Sequence, residues 1–512
     1  MRRTVADEAG LSRQVARWTA AILAAVVLAG AAAADEAVSP FPADHRELKH
    51  TIGYEAMAAF LAGAGRRDFI TVTEEGRTLQ GRSLFLVHLR RGTTPRPWRV
   101  FLFAQQHGNE VSGKDALLYM IREIVERPER LPEDVDLWIM PQVNPDGAAA
   151  DQRRNAAGAD LNRDHLLLSQ PETLALHRVD RRIRPDISVD CHEFTRDSRD
   201  YRERGWGEWP EIMMDTANNP LFSKALYDLG LARVEAARYR MHLAGHAYVR
   251  YTVGGVPPGD EQRPSTLEAD DARNGLAMDG HMAFIVEAGV KRSAPDPEAD
   301  LGRRVDAYLT LLWPFVTDTS ARPAERAAIE AFRERPLPPF IPVNSFWGNA
   351  GPRVSSVKVV DLASGRTEEI ATANLMHDVV VKRSVATPAA YAILPAAAAA
   401  FRTVLDRQGI TYDVVEKPRT ENAERCTLLR VEEKTDEVYG RYGGRQIVSC
   451  ANAADVSLGA GTLVVPLDQE ARVRAVLLLE PSMLYGLYQY EAFRALVDAD
   501  GTLPVARIMP VR

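Results

Sequence analysis

His107 and Glu110 stand three residues apart in the run Gln105-Gln-His-Gly-Asn-Glu110. A neutral imidazole nitrogen and a carboxylate oxygen at that spacing can face one cation, and the donor types suit Zn2+. Catalytic zinc keeps one of its four positions open, so a third protein ligand is needed. His192 offers it, at the end of the apolar run Asp186-Ile-Ser-Val-Asp-Cys-His192. A carboxylate that moves protons is needed as well, and Glu287 closes another apolar run, Ala283-Phe-Ile-Val-Glu287. Zinc polarises a carbonyl under attack and brings the pKa of water to about 7. The chemistry these residues can do together is hydrolysis.

The elements that must position them are legible as well. Trp98–Ala104 and Val135–Met140 are short apolar runs that read as buried strands, and His107 follows the first within three residues. Ala116, Leu117, Met120, Ile121, Ile124 and Val125 fall on one face at helical steps. Strands alternating with helices predict an α/β sheet covered by helices on both faces. Ligands of such sheets bind beyond the carboxyl ends of the strands, so polar strand ends can converge on one crevice.

At His107-x-x-Glu110, Asn144-Pro-Asp-Gly147, the segment Arg153-Arg-Asn-Ala-Ala-Gly-Ala-Asp-Leu-Asn-Arg163, His192 and Glu287, the chain resembles the carboxypeptidase A-like zinc carboxypeptidases. Gly76–Arg82 is similar to that family's lead-in to its first core strands. The resemblance runs from about residue 45 to about residue 330. It implies a mixed central sheet, and one zinc per chain held by His107, Glu110 and His192. It also implies that Glu287 is the general base and acid and that Arg153 polarises the scissile carbonyl and holds the oxyanion. Asn162 and Arg163 would then grip the substrate's terminal carboxylate. Elementary chemistry agrees: a fixed guanidinium stabilises a developing oxyanion, and arginine holds a carboxylate through two parallel hydrogen bonds. Arg154 is adjacent to Arg153, and the choice between them rests on the family's Arg-x-Asn spacing.

Two features depart from the family pattern. Its mobile tyrosine lies roughly twenty residues before the base, but Ser265–Met282 contains none; Tyr248 and Tyr251, further upstream, are the candidates. The same segment carries Glu268, Asp270, Asp271, Arg273 and Asp279, a charged set rather than an apolar one. Arg273 could select an acidic group or a second carboxylate, as in glutamate or diaminopimelate; a solvated surface loop is the other reading. Asp190 either orients His192 through its free ring nitrogen or makes an ordinary strand-end hydrogen bond.

The 512 residues carry a formal charge of −7 and no run of lysine and arginine, which argues against nucleic acid. Phosphate-cradling glycine loops are absent, which argues against nucleotides. Arg13 and Arg17 precede the apolar segment Trp18–Ala29, and Ala32–Ala34 offers a cleavage site, so residues 1–34 read as a signal peptide. Export to the periplasm or beyond follows, with membrane attachment only if the segment stays uncleaved. Cys426 and Cys450 are close enough in sequence to pair, and Cys191 reads as a buried small residue.

A catalytic domain over 35–334 is expected, then a proline-rich connector over 335–345 and an accessory α/β domain over 346–512. In the last, strands are expected at Val354–Leu362, Asp378–Val385, Ala390–Leu394 and Gly461–Pro466, with a helix near Ala471–Leu479. Ala390–Leu394, a helix over Ala396–Gln408 and a strand over Ile410–Val415 read as a β-α-β unit. The expected function is zinc-dependent hydrolysis of the C-terminal bond of a peptide or muropeptide with a free carboxylate. The alternatives are an amidase acting on cell-wall peptides or N-acyl amino acids, and an inactive zinc-supported binding module.

Overall fold

The computed structural model describes residues 41–436 and 441–510. The segment expected as a signal peptide, 1–34, lies outside the described residues. In the first half the strands are β1 (Ile70–Arg77), β2 (Ser83–Leu89), β3 (Trp98–Ala104), β4 (Val135–Met140), β5 (Ile187–Thr195), β6 (Trp206–Glu208), β7 (Ile212–Thr216), β8 (Tyr248–Arg250), β9 (Val253–Gly254), β10 (Gln262–Arg263) and β11 (Met282–Val290). Eight of them form one sheet in the order β1-β2-β4-β3-β5-β11-β7-β8. β3 runs parallel to β4 and β5, and β5 parallel to β11. β2 runs antiparallel to β1 and β4, and β7 runs antiparallel to β11 but parallel to β8, so the sheet is mixed, as expected.

The uninterrupted apolar sequence of β3 follows from cover on both sides. Val100, Leu102 and Ala104 face the helix Ser112–Glu126 within the main core cluster. Phe101 and Phe103, pointing the other way, pack with Leu176, Val179 and Ile183 of helix Pro171–Ile183. Asp190 pairs with Phe103 and with Ile285, and His192 pairs with Glu287, so these residues share the second face. β5 and β11 do not stop at His192 and Glu287: Glu193–Thr195 and Ala288–Val290 continue the parallel ladder. Backbone pairing carries a strand past the end of its apolar run, which hydrophobicity alone does not report.

The connector expected over 335–345 is shorter than its composition suggested, because β12 (Phe340–Gly348) begins inside it. Pro342 is tolerated there because, among the described residues, β12 pairs on one side alone, with β15 (Asp378–Ala386), and shifts register beside the proline. Between them, β13 (Ser355–Asp361) and β14 (Thr367–Thr372) pair, and β13 also takes β6 as a neighbour. The chain then forms β16 (Ala390–Ile393), helix Ala398–Gln408, β17 (Asp413–Val414), β18 (Arg419–Asp436), β19 (Arg441–Cys450), β20 (Ala454–Leu458), β21 (Leu463–Pro466), helix Arg472–Leu479 and β22 (Thr502–Ile508).

These strands build a second sheet, β17-β21-β16-β22-β18-β19, with β20 also on β18. The expected returning strand over Ile410–Val415 shrinks to Asp413–Val414, because only those two residues find partners on β21. β21 lies between β16 and β17, antiparallel to both. Cys426 faces Cys450 across β18 and β19, and the two form a disulfide. Among the described residues no helix is long and apolar enough to cross a membrane.

Candidate active site and metal centre

Past the end of β3 the chain turns at Gln105, whose φ of 58° is left-handed. Gly108 then passes so close to Gly147 that a Cβ would lie 2.0 Å from its carbonyl carbon. Only glycine permits that approach. Asn144 caps the turn it begins by accepting from Gly147 N–H at 2.8 Å, while its Nδ2 donates to the Gln106 carbonyl at 3.0 Å. Asp146 accepts from Thr78 and Arg82 at 2.8 and 2.7 Å. The Asn-Pro-Asp-Gly motif and the Gly76–Arg82 motif thus brace the loop that carries His107.

His107, Glu110 and His192 are all buried, and their ligand atoms lie within 4.8 Å of one another. Glu110 Oε1 is 2.8 Å from His107 Nδ1, and Oε2 is 2.8 Å from His192 Nδ1. The two Nδ1 atoms are 3.0 Å apart. Each ring therefore aims Nδ1 at the common point and gives Nε2 to a carboxylate. His107 Nε2 meets Asp160 at 3.1 Å, and His192 Nε2 meets Asp190 at 2.7 Å. Such partners fix the tautomer and orientation of metal-binding histidines. Two imidazoles and a carboxylate, oriented in this way, fit zinc with an open fourth position. Burial raises the Glu110 pKa, but His107 and His192 outweigh it and hold the carboxyl well below its usual range. Burial is likewise outweighed at Asp160, by His107 and then Arg153.

Glu287 is 7% exposed and stands beside His192 on the neighbouring strand. Burial pushes its carboxyl up to about 8, against the opposing pull of His192, while Glu110 adds to the rise. A buried carboxyl tuned in this way is suited to accept and return a proton near neutral pH. Tyr251 hydrogen-bonds to it. Tyr248 is elsewhere, buried, with its hydroxyl donating to the Val234 carbonyl at 2.8 Å. Of the two tyrosines, Tyr251 is the one beside Glu287.

Arg153 reaches the same point: Nη1 is 3.1 Å from His107 Nδ1 and 3.5 Å from Glu110 Oε1, while Nε donates to Asp160 at 3.0 Å. Its side chain keeps 29% exposure, so it faces the crevice. Arg154 turns outward and donates to the Gly158 carbonyl. Arg163 is partly buried, with Nη1 donating to the Asn162 carbonyl at 2.7 Å. Asn162 is buried; its Oδ1 accepts from Ala272 N–H at 2.8 Å, and its Nδ2 lies 3.2 Å from His192 Nε2.

Arg273 does not meet the expectation of a selectivity residue. It is 1% exposed, and it donates to the carbonyls of Thr216 and Thr266 and to the Asp271 carboxylate. A guanidinium enclosed and neutralised in this way offers nothing to a substrate. Asp270 and Asp271 are buried as well, so the charged segment is an internal network rather than a solvated loop. Glu193, next to the ligand, accepts from Ser112 N–H at 3.1 Å and from Arg292 at 3.2 Å and so has a bracing task. Asp160 lies within the Arg153–Arg163 motif, yet nothing in the motif itself marks it as a partner of His107.

The zinc carboxypeptidase family model matches residues 57–204. Carboxypeptidase 2 of Trichophyton equinum is 33% identical over 203 residues, which cover 37% of this chain and 36% of that protein. Carboxypeptidase M of Mus musculus is 32% identical over 152 residues, covering 24% and 34%. The chain thus spans about a third of the length of the curated relatives it matches. Among solved structures, a metallo-carboxypeptidase from Pseudomonas aeruginosa in complex with (2-guanidinoethylmercapto)succinic acid aligns at TM-score 0.40 and 24% identity, over 52% of this chain and 69% of that one. Residues 57–204 are thus similar to zinc carboxypeptidases, and the curated relatives named above are carboxypeptidases.

Proposed function

We propose that the protein is a metallocarboxypeptidase that hydrolyses the C-terminal bond of a peptide with a free carboxylate. The observation that carries this reading is the register of β5 and β11, which sets Glu287 beside His192 and hence beside the His107–Glu110–His192 cluster. When bound, zinc would polarise the scissile carbonyl and acidify a water, as its chemistry does elsewhere. Glu287 is placed to accept a proton from the attacking water and return it to the leaving amine. Arg153, beside the cluster, stabilises the negative charge that develops on the carbonyl oxygen. Arg163 pairs with the substrate carboxylate, and Asn162 orients it. A binding module would have no use for a buried proton-transfer carboxylate in this position.

The compartment belongs to the same proposal. The N-terminal segment reads as an export signal, and the Cys426–Cys450 disulfide supports an oxidising space. Zinc-loaded protein assayed by mass spectrometry on peptides with varied C-terminal residues tests the activity. Chelator-sensitive release of single C-terminal residues is expected. Cleavage confined to muropeptides or N-acyl amino acids would replace this reading with an amidase.

A further inference from the structure

Behind His192, on the side away from the ligand cluster, runs a chain of buried polar groups. Asp190 Oδ2 meets His192 Nε2 at 2.7 Å and also accepts from Gln106 Nε2 at 2.8 Å. Gln106 Oε1 lies 2.9 Å from His165 Nε2, and His165 Nδ1 lies 2.9 Å from His177 Nε2. Gln106, His165 and His177 are each 1% exposed or less.

The proton positions follow from the partners. A histidine that offers Nδ1 to a metal must carry its proton on Nε2, which it donates to Asp190. Gln106 must face Asp190 with its amide, since its oxygen would oppose a carboxylate. Its oxygen then requires a donor, so His165 carries its proton on Nε2. His165 Nδ1 becomes an acceptor, and His177 donates to it from Nε2. His177 Nδ1, the remaining lone pair, has no hydrogen-bond partner, so the chain ends there. Burial keeps both rings neutral, holding His165 at about 3 and His177 well below its usual value. Every donor along the chain points toward Asp190.

The far end is gripped by the C-terminal half of the molecule. Gln408, the last residue of helix Ala398–Gln408, is fully buried and donates from Nε2 to the carbonyls of His165 and Leu166 at 2.9 and 2.8 Å. Those two carbonyls set the backbone from which the His165 ring projects.

We propose that Gln106 and His165 are positioning residues for the metal ligand His192, and that Gln408 extends this support to the C-terminal half. The inference rests on the metal centre of the proposed function. It gives the helix Ala398–Gln408 a task in that site: holding the backbone of the residue that locks Gln106, which in turn locks Asp190.

The test is zinc affinity of the full chain, measured by competition with a chromogenic chelator, alongside the melting curve of each metal-free protein. His165→Leu and Gln106→Leu should weaken zinc binding, by up to the roughly 10- to 100-fold that loss of a direct partner of a ligand histidine costs. His165→Gln, which keeps a donor within reach of Gln106, should restore affinity toward the wild-type value. Gln106→Asn, too short to bridge, should weaken it even if the leucine variants fail to fold. Gln408→Leu should weaken zinc binding in the same direction. Unchanged affinity in the Gln106 and His165 variants would overturn the positioning role. Unchanged affinity in Gln408→Leu alone would overturn the link to the C-terminal half. A wild-type chain that takes up no zinc would instead defeat the metal centre itself.

Discussion

The Tyr251 hydroxyl and the Glu287 carboxylate are hydrogen-bonded. Tyr251 follows β8, and β7 stands between β8 and β11 in the sheet. Its own N–H is fixed to the Met214 carbonyl at 3.0 Å, so the side chain reaches across β7 from an anchored backbone. A tyrosine displaced in sequence is thereby brought to the place where proton transfer is expected.

Tyr251→Phe removes a hydrogen bond that favours the ionised form of Glu287 and lowers its pKa. Without it the Glu287 pKa rises, so the acidic limb of the kcat/KM profile moves to higher pH. A pH profile of the variant checks this, and a limb in the wild-type position would dissociate Tyr251 from Glu287.

Glu287→Gln preserves the shape of the buried side chain but cannot accept the proton. Turnover should fall roughly 10²- to 10⁴-fold, while zinc content by elemental analysis stays at one per chain. Near-normal turnover would remove Glu287 from the reaction.

Arg163→Ala should act on binding. Losing a charge-assisted hydrogen bond of about 1.5–3 kcal/mol raises KM roughly 10- to 100-fold for peptides ending in a free carboxylate. Amidated peptides, which cannot use the contact, should be unaffected. An equal effect on both would reject the carboxylate role.

Glu211 supplies a pH dependence of stability away from the site. Burial raises its pKa, but hydrogen bonds from His246 and Arg303 outweigh it and hold the carboxyl at about 2. The folded value lies below the unfolded one of about 4.3, so the stabilisation is present above about pH 4.3 and is lost as pH falls through about 2. Glu211→Gln should therefore cost up to about 3 kcal/mol at pH 6 and little near pH 2. Denaturant unfolding at the two pH values measures the difference.

The sequence by itself determined the parts that short segments encode. Apolar runs with polar ends mark β3, β5 and β11, with His107 just past β3 and with His192 and Glu287 closing apolar runs that their strands outlast, because burial on both faces demands uninterrupted apolar residues. Helical spacing of Ala116, Leu117, Met120, Ile121, Ile124 and Val125 marks the helix Ser112–Glu126. The family motifs named Glu110 and Arg153, and the structure brings both to the cluster.

Tertiary structure alone decided the rest. Arg273 looks exposed in a charged segment, yet the Thr216 carbonyl, distant in sequence, helps to enclose it. Tyr248 and Tyr251 are three residues apart, and only the packing of β8 sends one to Val234 and the other to Glu287. The pairing of β6 with β13 and the grip of Gln408 on His165 join residues far apart along the chain. Periodicity and composition report the environment a residue prefers. Which partner supplies that environment is set by the closure of long loops and the register of strands, which no local pattern records.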